Sequence, residues 1–141
     1  MRQKQSGQSL IELVFIFPLL LFLFIGVFDW GFYAWSLITT ENAARAAALY
    51  TSSSAGTAGN SAGACTYALA ELAYAPNVGG PGLSSCSSSP LTVTASAVTG
   101  PDGADASQVS VAYQTMPLIP IPGLLTGQIT ITRAVVIPLR G

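Results

Sequence analysis

One acidic residue stands near the start of a long apolar run. Residues 7–28 read GQSLIELVFIFPLLLFLFIGVF, and Glu12 is the single charged residue among them. An ionised carboxylate in a membrane span costs up to about 2.5–3.5 kcal/mol at the helix centre and less near its ends. A nearby cation would offset this cost, so we expect Glu12 to have a charged partner.

Few other residues could carry chemistry. The chain has no His and only two cysteines, so the usual parts of a catalytic triad or a zinc site are missing. Asp102 and Asp105 lie in the sequence PDGAD. Two acids cannot fill the about six to eight oxygen positions of a Ca²⁺ site, so we interpret them as turn residues. The sequence predicts no enzyme, no cofactor and no metal.

Charge is scarce and unevenly placed. Only 8% of the 141 residues are charged, and after Arg2 and Lys4 the next basic residue is Arg45. Nucleic-acid binders need clustered Lys and Arg, so no nucleic-acid partner is expected.

The apolar run has the length of a membrane span. Leu10 to Phe28 gives about 28 Å of helix, close to a hydrocarbon core of about 30 Å. The aromatics that follow in DWGFYAW are typical of the headgroup level, and the basic leader favours a cytoplasmic N-terminus. A secretory signal peptide, the alternative, has an apolar core of about 7–15 residues with a small-x-small site just after it, and neither feature is present. We predict one span, N-in and C-out, with lipid as a partner.

Cys65 and Cys86 both fall on the predicted outer side, where disulfides persist. Two cysteines allow one pairing, so a Cys65–Cys86 disulfide is predicted. Reactive thiols or a metal site are the alternatives, and both would favour additional His or Cys.

The helix is expected to continue beyond the membrane. Neither Gly nor Pro occurs from Phe32 to Thr51, and TTENAARAAALY is rich in Ala, the best helix former. Glu41 and Arg45 form a favourable i,i+4 pair. We predict one helix of roughly 40 residues, kinked at Pro18, whose outer half packs on the domain through a face of small residues: Ala43, Ala44 and Ala47.

The rest of the chain predicts a small α+β domain. A linker of small residues precedes a short helix over CTYALAELAYA, and after Pro90 the apolar period changes to two. LTVTASAV, SQVSVAY and QITITRAVVIP are predicted as an antiparallel sheet of about three strands. The expected division is residues 1–7 as leader, 8–55 as the long helix with its membrane part at about 10–30, and 56–141 as the extracytoplasmic domain. The loop with Met116, Pro117, Ile119 and Pro120 either docks a partner or folds back onto the sheet.

Gly7 and Glu12 together resemble the class III signal of type IV pilin-like proteins. This resemblance implies cleavage after Gly7 by a prepilin peptidase, with Gln8 as the new N-terminus and Glu12 as the fifth mature residue. The new α-amino group is cationic at neutral pH. The resemblance thus supplies the partner for Glu12: the Gln8 amine of a neighbouring subunit. The alternative is a fortuitous Gly and an acid that suits a helix N-terminus.

Among type IV pilin-like proteins, the chain resembles the TadE-like family in particular. The residues that carry the resemblance are Glu12, Pro18, Gly26, Asp29, Asn42, Ala43, Ala44 and Arg45. The ending VSVAYQTMPLIPIPGLLTGQITITRAVV is similar to the family's strand, Pro-rich loop and strand. Ala46-Ala47-Ala48 departs from it, since a Gly is expected nearby.

The resemblance implies a minor pilin or pseudopilin of a tight-adherence (Flp) pilus, with a type II/IV secretion-like machine, supporting adhesion and biofilm formation. It implies location in the bacterial inner membrane. The implied partners are the prepilin peptidase, other pilin-like subunits and inner-membrane assembly proteins. The alternative is a generic single-span extracytoplasmic protein that binds or senses a ligand.

Overall fold

The computed structural model describes residues 8–119 and 127–140, and it has an α+β fold. Helix α1 spans Gln8–Thr51 and helix α2 spans Ser61–Glu71. The strands are β1 (Ser87–Ser88), β2 (Leu91–Thr99), β3 (Asp105–Gln114) and β4 (Thr130–Pro138). The chain divides into two compact units, Met1–Tyr33 and Ala34–Gly141, and α1 contributes to both. The predicted long apolar helix, short helix and antiparallel sheet are confirmed.

Helix α1 is 44 residues long and includes Pro18 in its interior. The helix continues through Pro18 because a missing N–H costs one ladder hydrogen bond but does not by itself end a long helix. At the other end, Thr57 Oγ1 lies 3.1 Å from the Thr51 carbonyl oxygen and satisfies one of the acceptors that a helix C-terminus leaves free.

Helix α2 begins earlier than the sequence pattern indicated. Asn60 is its N-cap, and its side-chain oxygen accepts a hydrogen bond from the Gly63 N–H at 2.9 Å. Because Asn is among the best N-cap residues, it starts the helix at Ser61, within the segment that we predicted as a linker. The helix ends at Glu71, whereas the predicted segment continued to Ala75.

The sheet has the order β1-β2-β3-β4, and every neighbouring pair is antiparallel. The three long strands are those predicted, and β1 is an additional two-residue strand in a segment that we predicted as loop. Asp102 lies in the turn between β2 and β3, where its Oδ1 accepts from the Ala104 N–H at 3.2 Å. Asp105 is the first residue of β3 and not a turn residue.

One hydrophobic core unites the second unit. It combines the small face of α1 with the inner faces of α2 and the sheet; its alanines on α1 are Ala43, Ala44, Ala47 and Ala48, all with no exposed surface. The strands contribute alternate residues, among them Val109, Val111 and Tyr113. This alternation buries one face of the sheet and leaves the other for solvent.

Candidate functional site

Glu12 lies on an exposed, apolar length of helix. The large apolar side chains from Leu10 to Phe24 are each 48–78% exposed, and Glu12 is exposed among them. No hydrogen bond or ion pair joins the Glu12 side chain to another residue in the part of the chain that the structure describes. An apolar surface of this extent exceeds what soluble monomers expose, so it is suited to lipid or to neighbouring helices.

Among the described residues, α1 is the one helix that is long and apolar enough to cross a membrane. Gln8 is its first residue, and Gly7 lies outside the described residues. Cleavage between Gly7 and Gln8 therefore stays a prediction. So does the pairing of Glu12 with the amine that cleavage would create.

Asp29 is a buried carboxylate that sequence reasoning missed. It is 1% exposed, and neither side-chain oxygen has a hydrogen-bond partner among the residues described. A buried acceptor without a partner carries a desolvation cost. Asp29 was named among the residues that carry the TadE-like resemblance, but its burial was not predicted, although an acid directly between Phe28 and Trp30 was an available signal.

The second unit carries a three-residue ion-pair cluster. Arg45 Nη2 lies 3.1 Å from Glu41 Oε1, which confirms the predicted i,i+4 pair. Arg133 on β4 lies 3.5 Å from the other oxygen of Glu41. Two guanidinium groups share one carboxylate, so the cluster has a net positive charge. Sequence reasoning missed Arg133 because nothing local connects β4 to α1.

Buried hydroxyl groups hold the end of α1 to the sheet. Ser107 Oγ on β3 lies 2.7 Å from Thr51 Oγ1 and 2.9 Å from the Ala58 carbonyl oxygen. All three residues are buried. Buried polar groups are costly unless paired, so this set favours one position of the helix end over the alternatives.

A buried tyrosine joins the loop after α2 to β3. Tyr113 has no exposed surface, and its hydroxyl donates to Asn77 Oδ1 at 2.7 Å. Burial raises the pKa of the Tyr113 hydroxyl, because the phenolate would lose its hydration. The buried hydroxyl therefore holds this loop to β3 as a structural anchor.

The predicted disulfide is present. Cys65 on α2 bonds to Cys86 just before β1, with a Cα–Cα distance of 5.7 Å. Beside it lies an open groove between α2 and β2 with a volume of about 540 Å³. The described residues that line this groove include no Asp, Glu, Lys, Arg or His, so the groove offers no acid–base group.

The Pro-rich loop is only partly described. Leu118 is buried, whereas Pro117 and Ile119 are exposed. Pro120 lies outside the described residues, so the choice between docking and folding back stays open. Across residues 8–119 and 127–140, no group of three or more His, Cys, Asp or Glu side chains could hold a metal ion.

Comparison with known proteins gives one match. No curated protein and no solved structure matches the chain. A family model described as TadE-like protein matches residues 7–49. This range contains Gly7, Glu12 and the ion pair of Glu41 with Arg45, so the resemblance drawn from the N-terminal residues is confirmed. The resemblance of the C-terminal strands and loop lies outside this range and stays a prediction. Through residues 7–49 the chain is similar to the TadE-like family, a similarity that points to a component associated with a Tad pilus.

Proposed function

We propose that this chain is a minor pilin or pseudopilin-like subunit of a tight-adherence pilus. In this proposal a prepilin peptidase removes residues 1–7, and the segment over 8–55, which contains helix α1, anchors the chain in the bacterial inner membrane. The domain over 56–141 is extracytoplasmic. The subunit acts in the assembly of a filament that supports adhesion and biofilm formation.

The observation that carries the proposal is Glu12, exposed on the apolar half of α1 within the residues that match the TadE-like family. A lone carboxylate on an otherwise apolar helix favours a partner that arrives from outside the chain. A neighbouring subunit whose helix places its terminal amine at the same depth in the membrane as Glu12 would provide this partner.

The chemistry is an ion pair in a surround of low polarity. Cleavage after Gly7 gives Gln8 an α-amino group, which is cationic at neutral pH. The Coulomb energy of two unit charges about 4 Å apart is much larger in an apolar medium than in water. A subunit out of register would leave both charges unpaired. The pair would therefore set the axial position of a subunit as well as its affinity.

The decisive experiment compares Glu12→Gln with Glu71→Gln in cells that lack the native copy. Both changes remove one carboxylate and keep its shape, and Glu71 is exposed at the end of α2. Glu12→Gln should insert in the membrane but fail to co-purify with pilus subunits, whereas Glu71→Gln should behave as the wild type. Normal piliation with Glu12→Gln would contradict the pairing.

Processing is tested separately by the N-terminal mass of the membrane-extracted protein. Wild type should begin at Gln8, and Gly7→Leu should retain residues 1–7, because a side chain at Gly7 blocks close approach of the peptidase to the backbone. A wild-type chain that begins at Met1, or beyond Phe28, would contradict the proposed cleavage and favour the generic single-span alternative.

A further inference from the structure

Strand β4 lies at an edge of the sheet, and among the described residues one row of its backbone groups pairs with no other strand. Backbone bonds join Thr115 N–H to the Ile129 carbonyl and Leu139 N–H to the Asp105 carbonyl, at 2.9 and 2.8 Å. Because antiparallel strands alternate the direction of these groups, the odd-numbered residues of β4 bond to β3. The even-numbered residues direct their N–H and C=O groups outward; those with both groups are Thr130, Thr132, Ala134 and Val136.

The opposite edge of the sheet is covered by the chain itself. On β2, Val93 N–H donates to the Cys86 carbonyl at 2.9 Å, and Ala95 N–H donates to Ser61 Oγ at 2.9 Å. Strand β1 pairs with the start of β2. These bonds cover the β2 edge only as far as Ala95, and Ala97 lies beyond them. The described residues provide no comparable cover for β4, where Thr132 O has only a 3.5 Å contact with Arg133 Nη1.

The β4 edge has few of the features that usually prevent strand addition, and its one charged residue is Arg133. It has nine residues, an unbroken register with β3 and no Lys. Its one proline, Pro138, stands at the last position. Natural sheets protect long edges with Lys, internal Pro, bulges or covering segments. A nine-residue edge without Lys, internal Pro or a bulge, and not covered by the residues that the structure describes, is a template for another strand.

A shallow groove runs beside this edge. It lies between α1 and β4 and is lined by Leu37, Ile38, Glu41, Asn42, Arg45 and Arg133. Ile38 is 61% exposed, so apolar surface is available there. The two arginines and one glutamate give the groove a net positive charge. A ligand with one carboxylate would be electrostatically complementary to it.

We infer that the free edge of β4 binds an extended strand of a subunit other than a second copy of this chain, and that the side chain opposite Arg133 in that strand is acidic. Arg133 bonds its backbone to β3, so the residue facing it across the new pair is at a non-hydrogen-bonded position, where side chains approach most closely. The residues two places before and after it would face Ile131 and Val135. The expected ligand pattern is apolar-x-acidic-x-apolar, with β-branched residues at x.

This site is independent of cleavage after Gly7 and of the pairing of Glu12. It lies within the second unit and depends on α1, β4 and their side chains. The peptide-binding test can therefore fail while the proposed pilus function holds. Equally, it can succeed while the proposed pilus function is contradicted.

The probe is the peptide acetyl-Thr-Val-Thr-Glu-Thr-Val-Thr-amide, added to the full-length protein in detergent. Binding should slow amide hydrogen exchange at Thr132, Ala134 and Val136, and leave Ile131, Arg133 and Val135 unchanged because β3 already protects them. N-methylation of the third and fifth peptide residues removes the donors that would face β4. It should weaken binding about tenfold or more, whereas methylation of the second and fourth residues should not.

Two protein variants provide a matched pair. Ala134→Pro removes an outward N–H from β4, and Ala97→Pro removes an outward N–H from the uncovered end of β2, so each spares its bonds to β3. Ala134→Pro should weaken peptide binding about tenfold, and Ala97→Pro should leave it unchanged. Replacement of the peptide Glu by Lys should weaken binding to wild type by a similar factor.

Three results would overturn the inference. The first is absence of peptide binding, and the second is equal binding by the two methylated peptides. The third is protection of the outward amides that rises with protein concentration when no peptide is present, since the occupant would then be a second copy of the chain.

Discussion

The two parts of α1 are one continuous helix in opposite surroundings. From Leu10 to Phe24 its large side chains are at least 48% exposed, whereas Ala43, Ala44, Ala47 and Ala48 have no exposed surface. The part with the most apolar side chains is thus the exposed one. The part with the smallest side chains is buried. Large apolar side chains suit lipid, and small ones let a helix backbone approach a packed domain closely.

This difference predicts that a change of side-chain size has different consequences in the two parts of α1. Side-chain size in the first part should matter for association with lipid or other helices, and little for the stability of the domain. Side-chain size in the second part should affect domain stability directly, because protein cores have few voids. The following variants are measured by unfolding of the full-length protein in detergent, followed by near-UV circular dichroism.

The largest expected effect is loss of the disulfide, which lies wholly in the second unit. The double substitution Cys65→Ser with Cys86→Ser should lower the free energy of unfolding by about 3 kcal/mol, the value for closure of a loop of this size. Helix content of the apolar part should not change. Wild type treated with a reductant is the control, and equal stability with and without reductant would contradict the prediction.

The next effect tests packing of the Ala face. Ala47→Leu adds three carbons at a site with no exposed surface, and overpacking should cost about 1–3 kcal/mol. The reverse change in the exposed part, Leu20→Ala, should alter domain stability by no more than about 0.5 kcal/mol. Similar losses for the two variants would remove the distinction between the two parts of the helix.

A smaller effect is expected at Tyr113. Tyr113→Phe removes the bond to Asn77 Oδ1 and should cost about 1 kcal/mol. The raised pKa also gives a pH dependence. The folded protein holds its proton to higher pH than the unfolded chain, so stability is full below pH 10.0, the reference value for tyrosine, and falls above it.

Comparison of the two proteins at alkaline pH separates these contributions. The stability of wild type should fall more steeply above about pH 10 than that of Tyr113→Phe, since the phenylalanine does not titrate. Parallel curves for the two proteins would show that the burial of Tyr113 has no consequence for ionisation.

The smallest effect is at the ion pair that crosses from β4 to α1. Arg133→Gln should destabilise the domain by about 0.2–1 kcal/mol, because both partners are partly exposed and salt screens them. The difference from wild type should shrink as NaCl is raised. Arg45→Gln, the matched change within α1, should cost a similar amount or less. A loss that is insensitive to salt would show that packing of the Arg133 stem, and not charge, is responsible.

Local patterns in the sequence predicted the long elements of this fold. The continuous apolar run and the Ala-rich segment without Gly or Pro were enough for α1, and alternation was enough for β2, β3 and β4. The disulfide also followed, since two cysteines allow one pairing. The start of α2 was misplaced because the cap Asn60 stands in a segment whose composition is typical of a linker.

By itself, the sequence therefore determined which segments are helix and strand, where apolar surface is concentrated, and that Glu12 is an isolated charge in the first unit. Only the tertiary structure decided that Asp29 is buried, that Arg133 meets Glu41 and that β4 is left as an open edge. Periodicity in the sequence shows which side chains share a face of one helix or strand, because it arises from local backbone geometry. Which elements become neighbours depends on contacts between residues distant in the sequence. Ser61 bonds to the β2 edge, whereas no described residue does the same at β4, so the two edges of one sheet differ.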